Sequence, residues 1–178
     1  MNVNDINTAL ARGEIDAPGL FPHLEELGRS RFVLGVDFGL GELPEVPGVI
    51  LVRGARQHGK STWLERELRW TIERHGPGSA FYLNGDELRG PDDLARSAGD
   101  LARSFASRAK VRRLFIDEIT AVKGWEKGLK RILDAGDLVG VLVVTTGSSA
   151  ADLRRGSERL PGRKGRLART TYLFTPVS

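Results

Sequence analysis

Eight consecutive residues, Gly54-Ala55-Arg56-Gln57-His58-Gly59-Lys60-Ser61, place two glycines, a lysine and a hydroxyl at the spacing G-x-x-x-x-G-K-[ST]. Each residue type answers a demand of phosphate chemistry. A glycine at the turn lets the backbone N–H groups from Gln57 to Ser61 converge on phosphate oxygens, and a helix opening at Lys60 adds the positive end of its dipole. Lys60 is then placed to reach the β- and γ-phosphates of a nucleoside triphosphate. The Ser61 hydroxyl is placed to ligate Mg2+, an ion that takes few protein ligands beside water and phosphate oxygens. Gly54, Gln57, His58, Gly59, Lys60, Ser61 and Thr62 are the expected nucleotide contacts, while Arg56 is expected to point off the phosphates.

Phosphoryl transfer also needs a carboxylate near the metal and a group that orients the nucleophile. Asp117 and Glu118 follow the apolar run Leu114-Phe115-Ile116. Asp117 is the expected magnesium carboxylate, acting through water, and Glu118 the group that positions and polarises an attacking water. An acid beside the magnesium carboxylate points to hydrolysis rather than transfer to a metabolite. A second apolar run ends in Thr145-Thr146-Gly147-Ser148-Ser149, where Thr146 is the first candidate to hydrogen-bond the water or the γ-phosphate and Ser148 the second. For a cation on the transition-state charge, Arg163 in Leu160-Pro161-Gly162-Arg163 leads, with Arg159 and Arg166 also open.

These groups need strands that end, and helices that begin, at one edge. The glycine- and proline-rich stretch 35–48 reads as turns and linker, and Val49–Val52 as a buried strand running into the loop. Leu64, Leu68 and Ile72 recur at four-residue spacing, which predicts a helix over Lys60–His75 stopped by Gly76. The unit repeats: strand Ala80–Leu83, a helix opened by Pro91 with Leu94, Ala98, Leu101 and Phe105 on one face, strand Leu114–Ile116, helix Trp125–Ala135, strand Val139–Thr146, and a fifth candidate at Thr171–Phe174. Trp125, Leu129 and Ile132 or Leu133 would bury the last helix. Strands apolar throughout, alternating with helices, imply a three-layer α/β domain with a mainly parallel sheet of about five strands and helices on both faces. A short helix capped by Asn4 or Asp5 and ending near Gly13, and a second stretch from Pro22 to Leu27, form an N-terminal helical segment over 1–34, with the main domain over 35–178.

Composition narrows the classes. The chain has 178 residues, 40% hydrophobic and 28% charged, enough for one sizeable core. It has no cysteine, which excludes disulfide scaffolds, thiolate zinc sites, iron–sulfur clusters and thiol enzymes, and suits a reducing cytoplasm. His23, His58 and His75 are dispersed. No apolar run approaches a membrane span. From Arg154 to Arg169 seven basic residues face one acid, a local charge of +6 against +4 for the whole chain, so the remainder carries −2. This segment is either a hydrated loop or the place where nucleic acid or a protein partner would be attracted.

Together, Ile50 to Thr62, Leu114-Phe115-Ile116-Asp117-Glu118-Ile119, Trp125-Glu126-Lys127-Gly128-Leu129-Lys130, Thr146-Gly147-Ser148-Ser149 and Leu160-Pro161-Gly162-Arg163 resemble the prokaryotic AAA-type ATPases. More narrowly, they resemble the group whose loop reads G-A-R-Q-x-G-K-[ST] and whose ATPase domain is usually followed by an uncharacterised C-terminal domain. The resemblance, running from about residue 29 onward, implies ATP binding and hydrolysis on a P-loop core with an additional strand and a catalytic glutamate, with Mg2+ as cofactor. His58 stands where that family usually has an apolar residue, and Thr120 where a glutamine commonly follows the acids. The chain stops at Ser178, where relatives continue, so the C-terminal domain is expected to be absent. Three activities stay open: an ATPase coupling nucleotide state to a partner, a homo-oligomer or a missing domain; a nucleotide-dependent module binding nucleic acid or protein with negligible turnover; and a small-molecule kinase, against which the paired acids argue.

Overall fold

The computed structural model describes residues 1–29, 38–55, 59–149, 165 and 167–174. Among the described residues five strands, β1 (Gly48–Arg53), β2 (Ala80–Asn84), β3 (Arg113–Asp117), β4 (Leu142–Gly147) and β5 (Thr171–Leu173), form one sheet in the order β2-β3-β4-β1-β5. All four strand pairings are parallel. The carboxyl ends of all five strands therefore lie along one edge. β4 lies between β1 and β3, in register Val52↔Thr146 and Ile116↔Thr145, which brings the end of β4 between the loop after β1 and the acids after β3.

Among the described residues the α-helices are α1 (Val3–Arg12), α2 (Pro22–Arg29), α3 (Lys60–His75), α4 (Pro91–Ser104) and α5 (Trp125–Ala135). Alternating strand residues separate two cores, as a period of two requires. Ile50, Val52, Phe115 and Val144 share a core with Leu10 of α1, Trp63, Leu64 and Leu68 of α3, and Phe21 just before α2, against which the partly buried Leu24 of α2 packs. Val49, Leu51, Leu114, Ile116 and Val143 face α4 and α5 through Leu94, Ala98, Trp125, Leu129 and Ile132. The architecture is the expected three-layer α/β fold. Among the described residues no helix is long and apolar enough to cross a membrane.

Several local expectations are corrected. The cap of α1 is Asn2, whose side chain accepts from the Asp5 amide, while Gly13 ends the helix at φ 75°. Asn2 wins because its side chain stands just outside the first turn, where an amide of that turn needs an acceptor. The stretch read as turns and linker contributes Phe38, Leu40 and Leu43 to the first core, and the Phe38 ring lies 4.9 Å from that of Phe174 and 5.3 Å from that of Trp63. Its glycines and prolines punctuate apolar anchors. Arg113, 5% exposed, fastens this stretch by donating to the Leu43 and Pro44 carbonyls and to Thr71 Oγ1. β4 begins at Leu142 rather than Val139, which is 78% exposed, because tight turns through Gly136 and Gly140 carry the chain up to the sheet.

The amino-terminal helices are tied to this core by polar contacts as well. Asn7 of α1 both donates to the Tyr82 carbonyl and accepts from its amide, so its side chain pairs with the outer edge of β2 as a neighbouring strand would. Glu65 of α3 accepts from the His23 and Leu24 amides and so caps α2.

Phe38→Ala is expected to cost about 3–5 kcal/mol, the range for emptying an aromatic core site. Val139→Thr is expected to stay within about 0.5 kcal/mol, as exposed substitutions do. Urea denaturation of both variants distinguishes a packed 38–43 stretch from a linker.

Candidate functional site

The loop between β1 and α3 is held from three sides. β1 delivers the chain to Gly54, whose amide donates to the Gly147 carbonyl at the end of β4. The Phe174 amide donates to the Arg53 carbonyl, and the Phe174 carbonyl comes so close that a Cβ on Gly54 would lie 2.6 Å from it. Gly54 is thus required by close approach. Gly59, at φ 84°, is required by conformation, because left-handed backbone is costly for any residue with a Cβ. Directly after it, α3 opens at Lys60 with Gly59 as its N-cap, so the positive end of the helix dipole lies at the loop.

Lys60 is 5% exposed, and its ammonium donates to the Gly54 and Ala55 carbonyls at 2.8 and 2.7 Å. A charge buried to that degree must be paired or hydrogen-bonded, and here the loop's own carbonyls hold it at the loop. Ser61 and Thr62 follow in the first turn of α3. Arg56, Gln57 and His58 lie outside the described residues, so Gln57 and His58 stay expectations. The same holds for Arg159, Arg163 and Arg166 and for most of the basic 154–169 segment.

Across the sheet edge, β3 ends at Asp117 and β4 at Gly147. The Thr146 hydroxyl donates to Asp117 Oδ1 and accepts from the Glu118 amide at 2.9 Å. That amide also reaches Asp117 Oδ1 at 3.1 Å. Glu118 adopts φ 44°, the one non-glycine residue in the left-handed region among those described, a conformation that costs about 1–3 kcal/mol and persists only where neighbours over-determine it. Its carboxylate is held through Oε1, which accepts from Thr120 Oγ1 at 2.5 Å, from the Ser148 amide at 2.9 Å and from Ser148 Oγ at 2.7 Å. Burial alone would push this carboxyl up. The bonds from Thr120 and Ser148 and the charge of Lys60 outweigh it and hold the group below its ordinary value, so it is ionised at neutral pH.

Lys60, Asp117, Glu118, Thr146 and Ser148 thus converge at the carboxyl edge of β1, β3 and β4, and Ser61 lies in the first turn of α3 at the same edge. Ser148 bonds Glu118 rather than standing only as a group aimed at substrate. Two contributors carried no recognisable signal in the sequence. A Cβ on Gly85, in the 3-10 turn after β2 (Gly85–Glu87), would run into the Glu118 carbonyl. Thr120, noted only as a departure, donates to Glu118. A hydroxyl two residues beyond an acid and a glycine after a strand are too common to single out alone.

The donor set suits magnesium. A serine hydroxyl and a carboxylate are the hard oxygen ligands that this ion takes in small number, and Asp117 Oδ2 accepts no hydrogen bond among the described residues.

A parallel sheet with a G-x-x-x-x-G-K-S loop opening a helix, and acids on the strand beyond β4, defines a nucleotide-binding P-loop domain of the ATPase type. The AAA domain family model matches residues 47–177, and the chain belongs to that family. It is 26% identical over 176 residues to an uncharacterised protein of Methanocaldococcus jannaschii, covering 97% of this chain and 37% of that one. The chain thus spans little more than a third of that relative's length. Among solved structures, PCH-2 of C. elegans superposes with a TM-score of 0.45 at 13% identity, over 98% of this chain and 43% of PCH-2.

Gly85→Ala is expected to destabilise the domain by about 1–3 kcal/mol, the cost of overpacking a tight contact. Gly41→Ala, with open space at its Cβ position, no left-handed backbone and no place in a helix, serves as the neutral control in the same denaturation experiment.

Proposed function

We propose that this domain binds ATP with Mg2+, hydrolyses it slowly on its own, and couples the state of the γ-phosphate to a partner or a further domain. The observation that carries the reading is the Glu118 carboxylate, ionised and fixed through one oxygen beside Asp117 at the edge where the loop and Lys60 also lie.

Lys60, the loop amides and the start of α3 would bind and orient the triphosphate. Ser61 and Asp117 would hold Mg2+, whose charge neutralises phosphate oxygens when bound. Glu118 would accept a proton from the attacking water as its oxygen bonds to the γ-phosphorus. The bond from that phosphorus to the β–γ bridging oxygen breaks, giving ADP and inorganic phosphate. Thr146 would hold Asp117 and the Glu118 amide in register during the step. Arg163, or Arg159 or Arg166, is proposed as the cation on the transition-state charge, supplied within the chain or by a neighbouring copy. Coupling is supported by the Methanocaldococcus jannaschii relative, which carries this region within a much longer chain. The basic 154–169 segment is the proposed contact for a protein or nucleic-acid partner.

Phosphate release and ATP titration on the wild type and two variants test the reading. Glu118→Gln is expected to keep ATP affinity while release falls at least about 100-fold, the lower range for losing a general base. Lys60→Ala is expected to weaken ATP binding about 10- to 100-fold, matching a charge-assisted bond worth about 1.5–3 kcal/mol. Unchanged affinity in Lys60→Ala overturns the loop assignment. ATP binding without release by the wild type overturns hydrolysis in favour of a nucleotide-dependent binding module.

A further inference from the structure

Glu118 is the residue on which proposed hydrolysis turns, yet nothing in its own backbone directs its carboxylate. A glutamate side chain has three rotatable bonds, and the left-handed backbone at Glu118 does not by itself fix them. What fixes it is donation from two separate elements. Thr120 lies in the 3-10 turn Ile119–Ala121 after β3, and Ser148 follows β4. Both donate to the same oxygen, Oε1, while Oε2 accepts no hydrogen bond among the described residues.

The Thr120 donor is rigidly carried. Ile119, which opens its turn, and Val122, which follows it, are 0% and 1% exposed and anchor it in the core shared with α4 and α5. The turn closes on itself through the Ala121 amide to the Glu118 carbonyl and the Val122 amide to the Ile119 carbonyl. The Ser148 donor is carried by the end of a fully buried strand. Loading three donors on one carboxylate oxygen locks the side-chain torsions and turns the other oxygen into the one available acceptor.

We propose that Thr120 is a positioning residue for hydrolysis: its hydroxyl, with Ser148, clamps Oε1 of Glu118 so that Oε2 faces the attacking water. This rests on the hydrolytic reading above. Thr120 touches neither nucleotide nor water in this scheme and acts only through Glu118. Its loss therefore changes turnover and leaves ATP binding alone, because the loop and Lys60 stand on different elements.

Thr120→Val keeps the β-branched shape and removes the hydroxyl alone; Thr120→Ser keeps the hydroxyl on a smaller side chain. Both are compared with wild type and Glu118→Gln for ATP affinity, kcat and KM, with Thr120→Ala as a second loss variant should valine fail to fold. Thr120→Val is expected to lower kcat about 10- to 100-fold, as small misplacements of a catalytic group do, with KM and ATP affinity within about twofold of wild type. Thr120→Ser is expected to recover most of the turnover. An active wild type whose kcat is unchanged or raised by Thr120→Val overturns the clamp, because the hydroxyl then idles or restrains Glu118. A serine variant as slow as the valine variant also overturns it, since shape rather than the hydrogen bond then matters. A wild type that binds ATP without releasing phosphate removes the hydrolytic reading and the clamp with it, an outcome visible before any Thr120 variant is compared.

Discussion

The Thr146 hydroxyl is shared between the Asp117 carboxylate and the Glu118 amide, and the acidic half of the site depends on that sharing. Without an acceptor there, the Glu118 amide would rely on the longer contact to Asp117 alone, and an underpaired, partly buried N–H is costly. The left-handed turn at Glu118 would lose the bond that offsets its strain. Thr146 can serve this purpose only because β4 is inserted between β1 and β3. The strand order is thus a chemical requirement as much as a packing solution.

The basic half is secured from the opposite flank of β4. Gly54 sits between the end of β4 and the Phe174 carbonyl, and Phe174 is itself locked by ring contacts with Phe38 and Trp63. Trp63 lies in the first turn of α3, one turn from the glycine that opens the helix. Residues distant in sequence, 38 and 174, therefore set the height of the loop against the sheet. Packing and loop geometry are linked through one aromatic cluster rather than through the loop residues alone.

Much of this was legible in the residues, and the reasons differ by element. α3 was readable to its ends because Leu64, Leu68 and Ile72 repeat at helical spacing and Gly76 stops the run. β3 and the position of Asp117 and Glu118 followed from an apolar run ending abruptly in charge. The start of β4 was not legible, since Val139 is as apolar as Val143 and only the turn through Gly140 separates exposed from buried. Nor was the role of 38–43, where Phe38, Leu40 and Leu43 obey no single period and glycine and proline suggest a linker. Within the site, residue type and spacing pointed to Lys60 and Asp117, and Thr146 was singled out as a polar residue at a strand end, although its bonds to Asp117 and the Glu118 amide cross from one strand to the next. Gly85 acts through a contact between loops, against the Glu118 carbonyl, which leaves no spacing to read, while Thr120 acts on the Glu118 carboxylate from two residues away, a spacing too common to single out.

The loop's own electrostatics bear on how phosphate would be recognised. Lys60 gives its ammonium to two backbone carbonyls, so a phosphate must compete with acceptors already in place. An ammonium bonded to an anionic oxygen gains the attraction between opposite charges in addition to the hydrogen bond that a carbonyl also offers, so a phosphate would be the stronger competitor. That gain is offset by whatever the released Gly54 and Ala55 carbonyls fail to recover. Because Lys60 also lies close enough to help hold Glu118 ionised, moving its charge toward a phosphate would weaken that support and leave Thr120 and Ser148 with a larger share of the task. Hydroxyl and amide donors, which do not follow the phosphate, are the better means of keeping a carboxylate ionised and in place while the neighbouring cation is engaged elsewhere.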